Sequence, residues 1–286
     1  KKRDGKYQEK NLLKTWPEEG PELLWFHEDL GEGYGSPIIT DNTIYILASR
    51  DSIAMVVALD LEGNIKWQTE YGFEWNRSYP GTRSTPTLIN NLLYVSSGSG
   101  EISCLKSENG EIVWTKNMLK DFNGKLPHFG YAQSLLVNND MVFAMPGGVD
   151  TNIVALNRHN GDLIWTSKAK GEITAYNSPQ IIETNENKVL VTYSKECFMG
   201  IDAKTGKLLW SESFTSKYGD HANTILYEDG AIYTSAPFDH GLLKYKLSDD
   251  GSSVTKIWHD TLTGNYFGGM IKLADKLYTA AGGKSK

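Results

Sequence analysis

Aromatic and charged side chains recur at one position of six similar segments in this sequence. The segments read YGSPIIT (34–40), RSTPTLI (83–89), YAQSLLV (131–137), YNSPQII (176–182), HANTILY (221–227) and FGGMIKL (267–273). Their first residues are Tyr34, Arg83, Tyr131, Tyr176, His221 and Phe267. Aromatic faces stack on flat ligands and Arg or His supplies hydrogen bonds, so this set suits a flat, hydroxyl-rich or peptide ligand.

Residues just before these segments would reach the same region. They include Trp75, Arg77 and His128, with Tyr71, Phe73, Tyr79, Phe129, Tyr218, Asp220, Asn265 and Tyr266. One interpretation is a binding site for a small ligand or a protein partner. The other is that the aromatic rings only fill wedges between structural units, although pure packing would more easily settle on one apolar residue type.

Motifs of known reactions are missing from the sequence. The glycine run Gly31-x-Gly33-x-Gly35 leads into a strand-like segment and not into a helix, so it does not fit dinucleotide binding. There is no Gly-x-Ser-x-Gly elbow, phosphate-binding loop or His-Glu-x-x-His. The six histidines show no local metal-ligand spacing, although folding could bring some together. We therefore expect no catalytic residue and no metal site.

The elements that position these residues are set by a tryptophan repeat. Its members are Trp25, Trp67, Trp114, Trp165, Trp210 and Trp258, at separations of 42, 47, 51, 45 and 48 residues. The segments before four of them read ALDLEGNIKW (58–67), CLKSENGEIVW (104–114), ALNRHNGDLIW (155–165) and GIDAKTGKLLW (200–210). Each has a small residue, a turn that ends in Gly, and a second strand that closes on Trp. This pattern predicts an antiparallel hairpin whose Trp packs over a neighbouring sheet.

Two more strand-like runs precede each hairpin. Examples are SPIITDN followed by TIYILAS, and STPTLINN followed by LLYVSSG. Four short strands in each repeat of about 47 residues are typical of a β-propeller of four-stranded antiparallel blades. Because the first strand of each blade lines the central channel, the six segments would form a ring around one mouth of that channel.

The segment Gly200-Ile201-Asp202-Ala203-Lys204-Thr205-Gly206, which ends at Trp210, resembles the tryptophan-docking motif AxDxxTGxxxW of the pyrroloquinoline-quinone (PQQ)-like propeller superfamily. That superfamily includes quinoprotein dehydrogenases and BamB-type assembly lipoproteins. The resemblance covers residues 11–286 and implies an eight-bladed ring. The turn before Trp67 is one residue shorter, Lys106 and Asn157 replace Asp, and the copy that ends at Trp258 is expanded.

The resemblance also implies a possible cofactor. Family members with dehydrogenase activity hold PQQ against a pair of adjacent cysteines and a calcium ion that Glu, Asn and Asp bind. Cys104 and Cys197 are far apart in this sequence, and both are better explained by packing. We therefore expect a binding or scaffolding propeller without a cofactor. A PQQ-dependent alcohol or sugar dehydrogenase and a glycan-binding module are the alternatives.

Charge and hydropathy limit the partners. The net charge of -6 offers no broad basic surface, so nucleic acid is not an expected partner. No apolar run is long enough to span a membrane. The resemblance implies a periplasmic or cell-surface protein, and residues 1–10 lack the apolar core of a signal peptide.

The repeat count predicts how much of the ring this chain contains. We expect one domain over 1–286, with 1–22 as an N-terminal extension and an outer strand around Leu23–Phe26. Five complete repeats end at Trp67 through Trp258, and residues 264–286 supply two strands of a sixth. An eight-bladed ring would need roughly 100 more residues. The sequence thus leads us to expect that the natural polypeptide continues past Lys286.

Overall fold

The computed structural model describes residues 10–237 and 240–280, and every regular element in those two ranges is a β-strand. Twenty-two strands form five four-stranded antiparallel sheets and one two-stranded sheet. The predicted all-β fold, with five complete repeats and the first half of a sixth, is confirmed. Within the same ranges no helix has the length and apolar character needed to cross a membrane.

The sheets follow one another along the chain, and each keeps its strands in sequence order. Sheet 1 contains β1 (Ile38–Ile39), β2 (Ile44–Arg50), β3 (Ile53–Leu59) and β4 (Ile65–Phe73). Sheet 2 contains β5 (Thr87–Ile89), β6 (Leu92–Ser96), β7 (Glu101–Lys106) and β8 (Ile112–Asn117). Sheet 3 contains β9 (Leu136–Asn138), β10 (Met141–Ala144), β11 (Ile153–Asn157) and β12 (Leu163–Ser167).

The second half of the chain repeats this arrangement. Sheet 4 contains β13 (Gln180–Glu183), β14 (Lys188–Tyr193), β15 (Cys197–Asp202) and β16 (Leu208–Ser213). Sheet 5 contains β17 (Leu226–Glu228), β18 (Ala231–Ala236), β19 (Gly241–Leu247) and β20 (Val254–Asp260). Sheet 6 contains β21 (Met270–Leu273) and β22 (Lys276–Thr279).

The hydrophobic core is divided into clusters that each join two neighbouring sheets. One cluster joins sheets 1 and 2, and others join sheets 2 and 3, 3 and 4, 4 and 5, and 5 and 6. The cluster between sheets 4 and 5, for example, packs Phe198 and Trp210 against Ile232 and Tyr245. Sheets 2 to 5 therefore each bury both faces against two neighbouring sheets, as the blades of a propeller do.

A row of paired residues crosses each of the five four-stranded sheets and ends on the repeated Trp. In sheet 1 the row joins Ile38, Tyr45, Ala58 and Trp67. Ala58, Cys104, Ala155 and Gly200 occupy the third position of their rows, directly opposite the Trp. The register shifts just after each of these small residues, which turns the strand into its hairpin. At Gly200 even a Cβ would lie 2.2 Å from the Trp210 ring, whereas sheet 5 has Lys244 opposite Trp258.

Five of the six repeated Trp side chains reach the hairpin turn of the sheet that follows them in the chain. The indole nitrogens donate to backbone carbonyls at 2.7–3.2 Å, in the pairs Trp25 to Leu61, Trp67 to Ser107, Trp114 to Arg158, Trp165 to Ala203 and Trp210 to Gly251. The indole therefore satisfies its single donor while its ring covers the turn. The repeat thus links each of sheets 1 to 4 to the next sheet through one side chain.

The turn glycines allow this close approach. Gly206 has a φ of +77°, and a Cβ at that position would lie 2.7 Å from the Trp165 ring. Only Gly adopts this backbone conformation readily and leaves room for the ring. The Gly of the docking motif therefore allows the positive φ of its own turn and also leaves room for the Trp of the preceding blade.

The expected outer strand around Leu23–Phe26 is wrong, because the structure assigns no strand there. A strand needs a hydrogen-bonded neighbour, and in the described ranges the final sheet ends at β22. Trp25 nevertheless contacts the first turn, with its ring against Gly63. The expectations that concern residues 1–9 and the continuation past Lys286 lie outside the described residues.

Candidate functional site

The registers of the sheets define which residues are equivalent at the inner edge of each blade. The first-strand residues in the rows are Ile38, Thr87, Leu136, Gln180, Leu226 and Ile271. Four residues earlier lie Tyr34, Arg83, Ala132, Tyr176, Ala222 and Phe267. All six are exposed or half-buried, whereas the residues on either side of Arg83, Ala132, Tyr176 and Ala222 are buried. These six residues are therefore the equivalent positions at the mouth.

Tyr131 and His221 do not face the mouth as the sequence alignment expected. Each lies one residue before the equivalent position and is only 2% and 1% exposed, respectively. The Tyr131 hydroxyl donates to the Pro146 carbonyl at 2.8 Å, and His221 Nε2 lies 3.0 Å from the Lys195 carbonyl. Successive side chains point to opposite faces of extended backbone, so a shift of one residue moves a side chain from the mouth to the interior.

A chain of hydroxyl groups shows the correct alignment. The Ser36 amide donates to Thr85 Oγ1 at 3.2 Å, the Thr85 amide to Ser134 Oγ at 2.9 Å, and the Ser134 amide to Ser178 Oγ at 2.9 Å. Ser134, and not Gln133, is therefore equivalent to Thr85. Thr224 occupies this position in the fifth segment, because it lies two residues before the row residue Leu226 as Ser134 does before Leu136.

Arg83 is the charged centre of the mouth. Its Nη2 donates to the carbonyls of Ser78, at 3.1 Å, and Tyr79, whereas its Nη1 is buried and has no hydrogen-bond partner. Burial lowers the pKa of the guanidinium, while electrostatic interactions with Glu74 and, after it, with the phenols of Tyr34 and Tyr176 oppose this shift. The Nη1 group of Arg83 therefore has no hydrogen-bond acceptor, and it belongs to a guanidinium that lies near Tyr34 and Tyr176.

Aromatic rings from three loops meet beside Arg83. The ring centroids of Tyr79 and Phe129 are 6.3 Å apart, those of His128 and Phe129 are 4.6 Å apart, and those of Phe129 and Tyr176 are 6.0 Å apart. The Phe129 amide donates to the Tyr176 hydroxyl at 3.2 Å. Burial raises the pKa of that phenol to about 12, so Tyr176 remains a neutral hydrogen-bonding group.

Asp220 adds a carboxylate on the side of the fifth blade. Its pKa is raised by burial, while a hydrogen bond from Tyr266 and the nearby His128 favour the charged form. Tyr266 also packs on Phe267, with ring centroids 4.3 Å apart. We call the whole group the mouth cluster: Tyr34, Tyr79, Arg83, His128, Phe129, Tyr176, Asp220, Tyr266 and Phe267.

Trp75 and Arg77 have supporting positions. Trp75 is only 5% exposed, and its indole donates at 2.8 Å to the carbonyl of Ser78, which Arg83 also contacts. Arg77 is exposed and lies over the Trp75 ring at 5.3 Å. Trp75 therefore fixes the loop that holds Arg83, and its own side chain is buried beneath the mouth.

The sequence alignment missed a buried carboxylate beneath the mouth. Glu74 is 2% exposed, and its Oε1 accepts hydrogen bonds from the amides of Trp75 at 2.7 Å and Gly98 at 2.6 Å. Its Oε2 is buried without a partner. Burial raises the pKa of Glu74 to about 7, and Arg83 opposes that rise. No motif marked this residue, because its role depends on burial alone.

The described residues do not fit PQQ and calcium. Cys104 lies between Tyr94 and Trp114 in the row of sheet 2, and Cys197 begins β15, so both thiols are buried in different blades. Burial raises the pKa of Cys104 to about 11, which keeps the thiol inert. Within residues 10–237 and 240–280 no three His, Cys, Asp or Glu side chains are grouped to hold a metal ion.

Blades that pack against their neighbours, tryptophans that dock on the next hairpin turn and a polar mouth together define a PQQ-like β-propeller. A family profile described as "Outer membrane protein assembly factor BamB" matches residues 54–280, and this chain belongs to that family. Its fold is similar to that of BamB from Moraxella catarrhalis, with a TM-score of 0.64 at 17% identity, over 92% of this chain and 75% of the other.

Two further proteins are similar to this chain. A europium-containing methanol dehydrogenase shares the fold with a TM-score of 0.60 at 14% identity, over 85% of this chain and 54% of that one. A tetrathionate hydrolase of Acidianus ambivalens is 25% identical over 214 residues, which is 66% of this chain and 38% of that protein. This chain therefore spans less than half the length of that relative.

Proposed function

We propose that this chain is a binding or scaffolding propeller without catalysis of its own, which acts outside the cytoplasm. Its ligand or partner binds at the mouth cluster. The single observation that carries the proposal is the buried, unpartnered Nη1 of Arg83 beside Tyr34 and Tyr176. A buried donor without an acceptor is costly, and a bound group that accepts its hydrogen bond would remove that cost.

The composition of the mouth cluster favours recognition. Tyr34, Tyr79 and Phe267 are 65%, 70% and 78% exposed, so large apolar faces lie open to solvent around Arg83. Exposed aromatic residues and Arg are typical anchors of binding interfaces. An extracytoplasmic location is supported by the family, whose description names an outer-membrane assembly factor.

A glycan-binding function is the second candidate. The three exposed rings of the mouth cluster could stack on sugar faces, while Arg83 and Asp220 offer hydrogen bonds to hydroxyl groups. The PQQ-dependent dehydrogenase is disfavoured because the buried, separated thiols of Cys104 and Cys197 do not match the residues that hold this cofactor.

The experiment compares the wild-type protein with an Arg83→Gln/Tyr176→Leu double variant. Gently purified samples are analysed by native mass spectrometry for a retained mass, and both proteins are screened on glycan and peptide arrays. We expect the double variant to lose the retained mass or to weaken the array signal roughly tenfold or more, because it removes the guanidinium and an adjacent ring.

A matched control changes an exposed cation and an exposed tyrosine elsewhere, in Lys207→Gln/Tyr278→Leu. This control should bind like the wild type. A signal on the glycan array alone would select the glycan-binding function. Undiminished binding of every probe by the double variant would contradict the proposal.

A further inference from the structure

A pocket lined by none of the mouth-cluster residues lies where sheets 4 and 5 meet. It has a volume of about 400 Å³ and is lined by Thr215, Ser216, Lys217, His240 and His259. The first three residues follow β16, His240 precedes β19, and His259 lies on β20. The pocket therefore combines side chains from two blades that the sequence separates by more than twenty residues.

Two polar atoms in this pocket are buried without a hydrogen-bond partner. They are Ser216 Oγ and His240 Nε2. Buried polar atoms nearly always have a hydrogen-bond partner. Two such atoms without a partner in one pocket therefore suggest that a group binds there. The His240 ring is also held firmly, because it packs on Phe214 with ring centroids 4.0 Å apart.

The backbone contacts fix which ring nitrogens carry hydrogen. His240 Nδ1 lies 2.7 Å from the Thr215 carbonyl, and His259 Nε2 contacts the His240 carbonyl. A carbonyl only accepts, so both of these nitrogens donate. In the neutral rings, His240 Nε2 and His259 Nδ1 therefore carry lone pairs. Metal-binding histidines characteristically donate their other N–H to a backbone carbonyl or carboxylate in this way.

The spacing of the two rings fits one shared ion. Their centroids are 5.6 Å apart. With metal–nitrogen distances near 2.0–2.1 Å, two imidazoles at a tetrahedral angle place their centroids about 5 Å apart. The spacing of the two rings is therefore compatible with a single ion shared by both imidazoles.

We propose that His240 Nε2 and His259 Nδ1 bind one late-transition divalent cation of the zinc or copper class. Imidazole nitrogen prefers these ions to magnesium and calcium. Ser216 and water would supply the remaining positions, because the described residues bring no third His, Cys, Asp or Glu to this place. Such a site is open and exchangeable, unlike the closed four-ligand sites that hold structural zinc.

Two lysines lie near this pocket, and one of them, Lys217, is part of its lining. The Lys217 ammonium lies over the Tyr218 ring at 5.1 Å, and the Lys256 ammonium lies over the Tyr245 ring at 6.0 Å. These contacts draw both charges towards aromatic faces. Lys256 still acts electrostatically on His240, so the nitrogen ligands must offset some repulsion of an incoming cation.

The test is a titration of the full chain, without a polyhistidine tag and after removal of metals with a chelator. Zn²⁺ and Cu²⁺ are added separately in an isothermal titration calorimeter, and copper spectra are recorded by electron paramagnetic resonance. We expect one saturable site in the micromolar range, with splitting from two nitrogens. His259→Gln and His240→Gln should each weaken binding roughly tenfold or more and remove one nitrogen from the splitting.

His159→Gln is the matched control, because His159 is an exposed histidine paired with Asp140 on sheet 3. This variant should bind like the wild type. His259 is exposed, so its replacement tests the site without disturbing the core. Absence of a saturable site, or unchanged binding in His259→Gln, would overturn the proposal. Saturable binding of inorganic phosphate in place of either metal would overturn it as well.

Discussion

His221 shows how one buried ring affects the whole protein. It packs on Phe214, with ring centroids 4.8 Å apart, and it is 1% exposed. Burial lowers its pKa to about 4 from an ordinary value of 6.5. Between these values the unfolded chain binds a proton that the folded chain does not bind. The contribution of His221 to folding is therefore lost as the pH falls from about 6.5 to about 4.

We predict that His221→Gln reduces this acid sensitivity, because Gln does not titrate and can still donate to the Lys195 carbonyl. The free energy of unfolding is measured with urea in a chelating buffer from about pH 7.5 to about pH 4. The difference between wild type and variant should change by about 3 kcal/mol over this range. His159→Gln should follow the wild type, and parallel curves for His221→Gln would contradict the prediction.

Glu74 acts in the opposite direction over the same range. Its pKa rises from 4.5 to about 7, so the folded chain holds a proton that the unfolded chain releases. This contribution is full below about pH 4.5 and is lost as the pH rises through about 7. The free energy of unfolding of the wild type, plotted against pH, combines the contributions of His221 and Glu74. Comparison with His221→Gln isolates the contribution of His221.

At the scale of the element, the docking hairpin depends on a glycine that contacts another blade. Gly206 and Gly230 have nearly equal φ values of +77° and +74°. A Cβ on Gly206 would collide with Trp165, whereas a Cβ on Gly230 would meet nothing within 4 Å. The two glycines therefore separate backbone strain from steric collision.

We predict that Gly230→Ala costs about 1 kcal/mol and that Gly206→Ala costs about 3 kcal/mol. The first substitution adds only the strain of a left-handed Ala, and the second also displaces the Trp165 ring. Urea unfolding gives the free energies, and tryptophan fluorescence reports the displaced indole. Equal losses in the free energy of unfolding for the two variants would show that the Trp165 ring moves away from the added Cβ at no energetic cost.

The hairpins were predictable because their information is local. A small residue, a turn that ends in Gly and a closing Trp lie within about eleven residues, and each has a direct physical role. The strand expected at Leu23–Phe26 failed for the complementary reason. Strand formation there depends on a distant partner, which no local pattern supplies.

At the scale of the whole molecule, the hydroxyl chain ties the inner strands of sheets 1 to 4 around the channel. We predict that Ser178→Ala increases hydrogen exchange of the Ser134 amide roughly fivefold to tenfold, because that amide loses its acceptor. Exchange is measured by nuclear magnetic resonance. Ser213→Ala, at an exposed serine that ends β16, is the control. Unchanged exchange at Ser134 would argue against a role for this chain of hydrogen bonds.

The mouth was only partly predictable because its composition depends on register around the ring. Arg83, Tyr176, Tyr34 and Phe267 follow the segment pattern, but Tyr131 and His221 are shifted by one residue into the interior. Segments three and five lack the Pro that is present in segments one, two and four. Burial, which distinguishes the two faces, becomes visible only after the blades assemble.

The docking bonds all run from one blade to the next along the chain, which gives the ring a direction. Damage to a turn releases the Trp of the preceding blade, so its effects spread towards the N-terminus. Substitution of the Trp leaves the turn of its own blade intact and exposes the hairpin turn of the following blade. The order in which neighbouring blades loosen should therefore reveal which partner of a docking contact was altered.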